Sequence, residues 1–396
     1  MKKSFIIVIP IIVTTIFISI FNLVINREID QLKNDKDLSE IKHAYGGSIK
    51  QKGTKFRDIS IESDDLLLLG SSELSSEVPQ NPRNLFPFSG ANYDISTFGV
   101  ANIQSFQHAT GLGSIQEYPK DSKLAFLVSL QWFTQEGGIG SEKFLSGFSD
   151  IQFYKFLNNP KISKENKRYL AKRVTELLGD SDIFKEEKLY AQLFLQETII
   201  DKMLYYMSLP YFKFKENLLE TRYNLDLLRE LKKLPNKNYE EKINNIDFEE
   251  QYAIAEKQGR DSVTNNKFYV DDNYYDKYLK EKVNELDGIS GNINLENSVE
   301  FNDFNFFLNL CDDLNIKPYV ILVGVNGWYY DYTGITEKKR NEFYNKLENI
   351  ALEKKFDVLD LSEYEYEKYY LSDVMHLGWK GWLNVSEEIS KYFNER

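Results

Sequence analysis

DDLLLLGSSEL, residues 64–74, sets four consecutive leucines between two acids and a Gly-Ser-Ser turn. An apolar run this short, with no polar residue alternating through it, suits a strand covered on both faces, the usual condition of a parallel sheet. NYDISTFGVAN (92–102) and KLAFLVSLQWF (123–133) repeat the pattern of a strand that stops at a Gly or polar cluster, and IQSFQHATGLGS between them supplies a helix or connector. The strand signal returns in PYVILVGVNGWYYD (318–331) and KFDVLDLSEY (355–364), each flanked by amphipathic helical patterns. This alternation predicts an α/β domain with a doubly wound parallel sheet, built from residues 61–141 and 301–396. Residues 142–300 have a different texture. NKRYLAKRVTELLG, EEKLYAQLFLQETIIDKMLYYM and RYNLDLLRELKKL carry apolar residues at helical spacing with charges opposite, so this stretch reads as a mainly helical insertion.

Working back toward the N-terminus, residues 27–60 are polar and mixed in charge, with Gly46-Gly47 as punctuation, and read as a stalk with partial helix. Before them, residues 4–25 (SFIIVIPIIVTTIFISIFNLVI) hold no charge. That is long enough for a helix to span a bilayer, which takes about 20 apolar residues. Lys2 and Lys3 precede the run, so the positive-inside bias puts the N-terminus in the cytoplasm and the rest outside. A cleaved signal would have a shorter apolar region ending in a small-x-small site, and neither feature is present. Residues 1–26 therefore read as an uncleaved transmembrane signal anchor in the cell membrane.

Over the full 396 residues, 49 Lys+Arg stand against 61 Asp+Glu for a net charge of −12, with no segregated basic block, which argues against nucleic acid as a partner. With 27 Phe, 26 Tyr and 4 Trp there is ample surface to bury, which argues against disorder. One cysteine, Cys311, excludes an intramolecular disulfide and Cys-based zinc sites; it sits in a helical pattern and reads as a packed apolar residue. Only His43, His108 and His376 are histidines, so a His-rich metal centre is improbable, and no cofactor is called for.

Two motifs can carry chemistry. Gly70-Ser71-Ser72-Glu73 follows the first strand, where a Ser at a helix N-terminus meets backbone N–H groups able to stabilise an oxyanion; Ser is equally a preferred N-cap. Asp373-Val374-Met375-His376 lies near the C-terminus, and its three-residue offset lets the carboxylate reach the imidazole Nδ1–H so that Nε2 faces a nucleophile. Ser after the first strand with Asp and His on the last loop is the chain order of an SGNH (GDSL-like) hydrolase. No G-x-S-x-G elbow occurs. In that resemblance Ser72 aligns with the nucleophile and Gly99 with the oxyanion-hole glycine. The Gly-x-Asn-Asp block is missing, and Gln131 at the end of the third strand is a candidate for a comparable side-chain amide, which leaves the oxyanion hole only partly assigned.

The blocks LGSSEL (69–74), SLQWFT (129–134), TNNKFYVDDNYY (264–275), VNGWYYDYTGI (325–335) and SDVMHLGWKGW (372–382), together with the anchor, resemble the DltD family. The resemblance implies an outward-facing SGNH-like fold with a Ser72–Asp373–His376 triad. It implies a D-alanyl transferase working through a serine acyl-enzyme to esterify hydroxyls of lipoteichoic acid in the cell wall of Gram-positive bacteria. Its implied partners are a D-alanyl donor (a carrier protein or a membrane acyl intermediate), a membrane-bound acyltransferase and the polymer itself. Asn265, Asn266, Asn326, Trp328 and Trp379 fall within these blocks and are candidates for substrate binding, although turn chemistry and core packing account for such residues equally well. His108 reads as structural. Two rival functions stay open on the residues alone: a surface-anchored SGNH esterase or O-acyltransferase on another glycan or lipid ester, and a non-catalytic scaffold for D-alanylation.

Overall fold

The computed structural model describes residues 2–119, 121–238 and 245–394, with side chains from Val13 onward. Residues 239–244 of the expected insertion, and the side chains of residues 1–12 of the expected anchor, lie outside the described residues.

Five parallel strands form one sheet: β1 (Leu66–Leu69), β2 (Ile95–Phe98), β3 (Leu124–Ser129), β4 (Tyr319–Val323) and β5 (Val358–Asp360), in the order β2-β1-β3-β4-β5. The unbroken apolar runs follow from burial on both faces. Leu67, Leu69, Phe126, Val128, Val320 and Leu322 enter one core, while their alternating neighbours Leu66, Leu68, Ala125, Leu127, Ile321 and Val323 enter the other, as the two-residue period of a strand requires. The connection from β1 goes to one side and that from β2 returns to the other, so the topological switch point falls between β1 and β3. Crevices in open α/β sheets lie there, at the carboxyl ends of the strands.

Helices cover both faces. Ser105–Gly113 and Glu300–Leu314 pack on one, with every residue of Ser105–Gly113 buried. The C-terminal helix Trp379–Asn394 covers the other through Trp382, Val385 and Ile389. Between β3 and β4 the described chain is mostly helical, with helices Ser141–Gly147, Asp150–Asn158, Lys164–Leu178, Lys185–Leu195, Ile199–Leu231 and Phe248–Ser262, of which Ile199–Leu231 has 33 residues. That helix lies along the first one, Lys2–Asp35: the Asn224 amide donates to Asn22 at 3.1 Å and Asn26 at 2.9 Å, and Ile25 and Ile29 are buried nearby. Among the described residues no helix is long and apolar enough to cross a membrane.

Residues 27–60 differ from the expected stalk. The first helix continues to Asp35, and Ser39–His43, Ser48–Lys52 and Lys55–Glu62 fold as short helices against the sheet. Phe56 and Ile59 join the core. The buried Lys42 ammonium lies 2.8 Å from Asp65 and 3.1 Å from Asp94, the residues just before β1 and β2. The many charges of this segment suggest a solvated stalk, but Lys42 pairs with Asp65 and Asp94, Lys55 with Asp30, and the buried Lys50 ammonium donates to the Lys42 carbonyl at 3.1 Å.

Candidate active site

Ser72 stands directly beyond β1, at the switch point. The chain there makes a single 3₁₀ turn, Ser72–Ser75, where the sequence suggested the start of a longer helix. Asp373 and His376 come from the loop between β5 and the C-terminal helix. Asp373 builds its own turn: Oδ1 accepts the backbone N–H groups of Met375 and His376, both at 2.8 Å. Its Oδ2 lies 2.7 Å from His376 Nδ1, and His376 Nε2 lies 2.9 Å from Ser72 Oγ. An ionised carboxylate only accepts, so Nδ1 carries the proton, and Nε2 is left to accept from the Ser72 hydroxyl. Burial works against protonating this ring, but the hydrogen bond and charge of Asp373, with the charge of Glu73 added, outweigh it and raise the His376 pKa above its ordinary 6.5.

Glu73 went unnoticed in the sequence. Its carboxylate is buried, accepts the Ser71 N–H at 2.7 Å through Oε2, and accepts the Ser129 hydroxyl through Oε1. It therefore ties the residue before Ser72 to the end of β3. Below it, the His108 ring donates from Nε2 to the Gly70 carbonyl at 2.9 Å. Burial, and then the nearby Arg57 charge, push the His108 pKa down to about 3, so the ring is neutral. Its role is the structural one expected.

The remaining candidates divide. Gly99 lies against Gly70: a Cβ on it would stand 2.0 Å from the Gly70 carbonyl oxygen, so only glycine lets the ends of β1 and β2 close beside Ser72. The Gln131 amide donates to the Tyr330 hydroxyl at 2.7 Å. Asn326 is a loop organiser. Its backbone N–H donates to the Val374 carbonyl at 3.1 Å and its amide to the Phe268 carbonyl at 2.7 Å, joining three sequence blocks next to His376. Asn266 shapes the neighbouring turn, accepting from the Phe268 and Val270 N–H groups and donating to the Val270 carbonyl at 2.7 Å; within that turn Tyr269 takes a left-handed φ of 55°. Asn265 is exposed, with its N–H on Asp272 and its amide 3.4 Å from Asp276. Trp379 is buried against Ala255, Val263 and Leu383. Trp328 is half-buried, its ring 4.6 Å from Tyr269 and 5.6 Å from Tyr366. One cavity of 640 Å³ is lined by residues such as Asp58 and Glu220, and another of 740 Å³ by residues such as Lys42 and Asp94. Ser72 and His376 line neither.

A family model described as "DltD protein" matches residues 45–394. Three curated relatives carry the name "Protein DltD". That of Bacillus subtilis is 28% identical over 360 residues, covering 91% of this chain and 90% of its own. That of Staphylococcus aureus is 26% identical over 385 residues, covering 97% and 95%. That of Lacticaseibacillus rhamnosus is 23% identical over 350 residues, covering 86% and 80%.

Proposed function

Because the chain belongs to the DltD family, we propose that it is a membrane-anchored D-alanyl transferase of SGNH-like fold, using Ser72, His376 and Asp373 to pass D-alanine to hydroxyls of teichoic acid outside the cell. The observation that carries this reading is the His376 ring bridging Asp373 at 2.7 Å and Ser72 at 2.9 Å. The strand order, with Ser72 at the switch point and the Asp–His loop before the last helix, supports the SGNH-like assignment. The uncharged run at residues 4–25 behind Lys2 and Lys3 supports the anchor.

In this mechanism Ser72 Oγ attacks the carbonyl carbon of a D-alanyl thioester or ester as His376 Nε2 takes the hydroxyl proton. The bond to the donor's sulfur or oxygen breaks, and His376 returns the proton to that leaving group. A teichoic-acid hydroxyl then attacks the seryl ester, again giving its proton to His376, and Ser72 leaves as the alcohol. Asp373 holds the tautomer and stabilises the imidazolium formed in both steps. The Gly99 N–H and the Gln131 amide are the donors proposed for the oxyanion. Glu73 and Asp373 give the site a negative character that suits the ammonium of D-alanine.

The test is acylation of the full chain in detergent by a D-alanyl thioester, followed by mass spectrometry. A mass increase of one D-alanyl group on the peptide bearing Ser72 is expected, absent in Ser72→Ala. An acyl-enzyme that forms as readily in Ser72→Ala as in the wild type would falsify the assignment.

A further inference from the structure

The first half of helix Ile199–Leu231 is apolar on both of its faces. Residues 203–212, MLYYMSLPYF, carry no charge. The inner face packs on helix Lys185–Leu195, with Tyr205 5.8 Å and Phe212 4.3 Å from the Tyr190 ring. The outer face is open: Ile199, Ile200, Met203, Tyr206, Met207 and Tyr211 are each more than half exposed, Ile199 at 89% and Met207 at 70%, and at its end the Tyr211 hydroxyl donates to Glu186 at 2.8 Å. A contiguous apolar surface of this kind marks a contact face, and a helix apolar all round belongs in a core or in lipid.

The neighbouring helix identifies the occupant. Asn224 bonds to Asn22 and Asn26, Lys232 pairs with Glu28, and Lys36 bridges to Asn236, so residue numbers rise together along the two helices. The exposed segment therefore lies on the same side of this contact as the residues before Asn22. There, the first helix exposes Ile16, Phe17 and Ile20, at the end of the run read as the anchor. The segment is flanked and lined by side chains suited to the headgroup level. Lys202 and Lys213 flank it with stems long enough to keep their ammonium groups among headgroups. Tyr206 and Tyr211 suit the headgroup level. Asp201 is tied into the helix cap, accepting the Thr198 N–H at 2.9 Å. An apolar stretch of about 10–14 residues is too short to span a bilayer, so beside the anchor it can enter one leaflet only.

We infer that Ile199–Tyr211 of the helical insertion is a second membrane contact, resting in the outer leaflet beside the anchor. A second contact adds to the anchor helix, which is itself packed along Ile199–Leu231, in setting the tilt of the domain on the membrane. Ser72 is then held at a set height above the lipid. The inference rests on the anchor reading, and the experiment separates the two.

Cys311 is fully buried, so one introduced cysteine can carry an environment-sensitive fluorophore alone. Met203→Cys, Met207→Cys and Phe17→Cys replace outward-facing side chains and leave the packing intact. Each full-length variant is labelled and placed in nanodiscs of phosphatidylglycerol and phosphatidylcholine with and without nitroxide-bearing lipids. The expected result is blue-shifted emission and quenching by the nitroxide lipids at all three positions. Quenching at Phe17→Cys with water-like, unquenched emission at 203 and 207 overturns the second contact and spares the anchor. Blue-shifted but unquenched emission at 203 and 207 means that a protein covers the face, which also overturns it. Water-like emission at all three positions removes the anchor and the inference together.

Discussion

Replacing Gly99 by alanine probes how closely two strand ends approach beside the nucleophile. The added Cβ would stand 2.0 Å from the Gly70 carbonyl oxygen, 2.6 Å from its carbonyl carbon and 3.0 Å from Leu74 Cδ1. Ordinary non-bonded contact sits near ~3.5 Å, so the strand ends must part by roughly 1.5 Å. The first group to move is Gly70, whose N–H donates to the Phe98 carbonyl at 3.1 Å and whose carbonyl accepts from His108. Overpacking of this kind costs about 1–3 kcal/mol, and a stretched hydrogen bond about 1 kcal/mol more. Ser72 is two residues along, and a shift of about 1 Å in a reacting group costs on the order of 10²-fold in rate. The variant keeps its residue-99 N–H, so the loss is one of position and not of a donor. Urea unfolding followed by tryptophan fluorescence gives the stability, and single-turnover acylation gives the rate. Both should fall. An unchanged unfolding midpoint together with an unchanged acylation rate would refute the close approach of β1 and β2; lower stability with a full rate would show that Ser72 does not depend on it.

The same site yields three further expectations. Asp373→Asn should lower single-turnover acylation by about 10³–10⁴-fold with donor affinity retained, because His376 loses the acceptor that fixes its tautomer. His376 must be neutral to act as base and its pKa lies above 6.5, so acylation should fall on an acid limb centred above pH 6.5; Glu73→Gln, removing one of the charges that raise it, should move that limb to lower pH in a pH–rate profile. The sign for stability is the reverse: His376⁺ with Asp373 stabilises the fold fully below the unfolded pKa of about 6.5, and this contribution is lost as pH rises through the folded value. His108 has the opposite linkage. The native ring stays neutral down to about pH 3 while the unfolded chain takes up its proton near 6.5. Between pH 7.5 and 4.5 the wild type should therefore lose about 2–3 kcal/mol of stability that His108→Gln does not lose, as read from urea midpoints at the two pH values.

Legibility in the sequence tracked how local each signal was. The strands were readable because burial on both faces demands uninterrupted apolar runs, and LLLL at 66–69 meets that demand with no structure in hand. Even β2, which is ISTF, fits once Ser96 is seen to donate to the buried Asp65 and Thr97 to the Lys42 carbonyl. Asp373 and His376 are three residues apart, so their pairing is a matter of one turn. Their meeting with Ser72, 304 residues distant from His376, was reachable only because histidines are scarce and the chain order resembled that of a known class. The asparagines stay ambiguous in the sequence for the opposite reason. Asn266 and Asn326 sit in the right blocks, but whether an amide faces a ligand or a loop carbonyl depends on where backbone donors and acceptors fall, and sequence does not carry that. Glu73 shows the same limit more sharply. It adjoins Ser72, yet its partner is Ser129, and the two meet because Leu69 pairs with Phe126, so that β3 outruns β1 and carries Ser129 past the point where the chain turns. A parallel register is set by the packing of the whole sheet, with no hairpin turn to announce it. The carboxylate beside the nucleophile thus becomes visible only after the register is known, and residues of that kind, whose partners lie on a neighbouring strand end, are the ones a single sequence leaves unassigned.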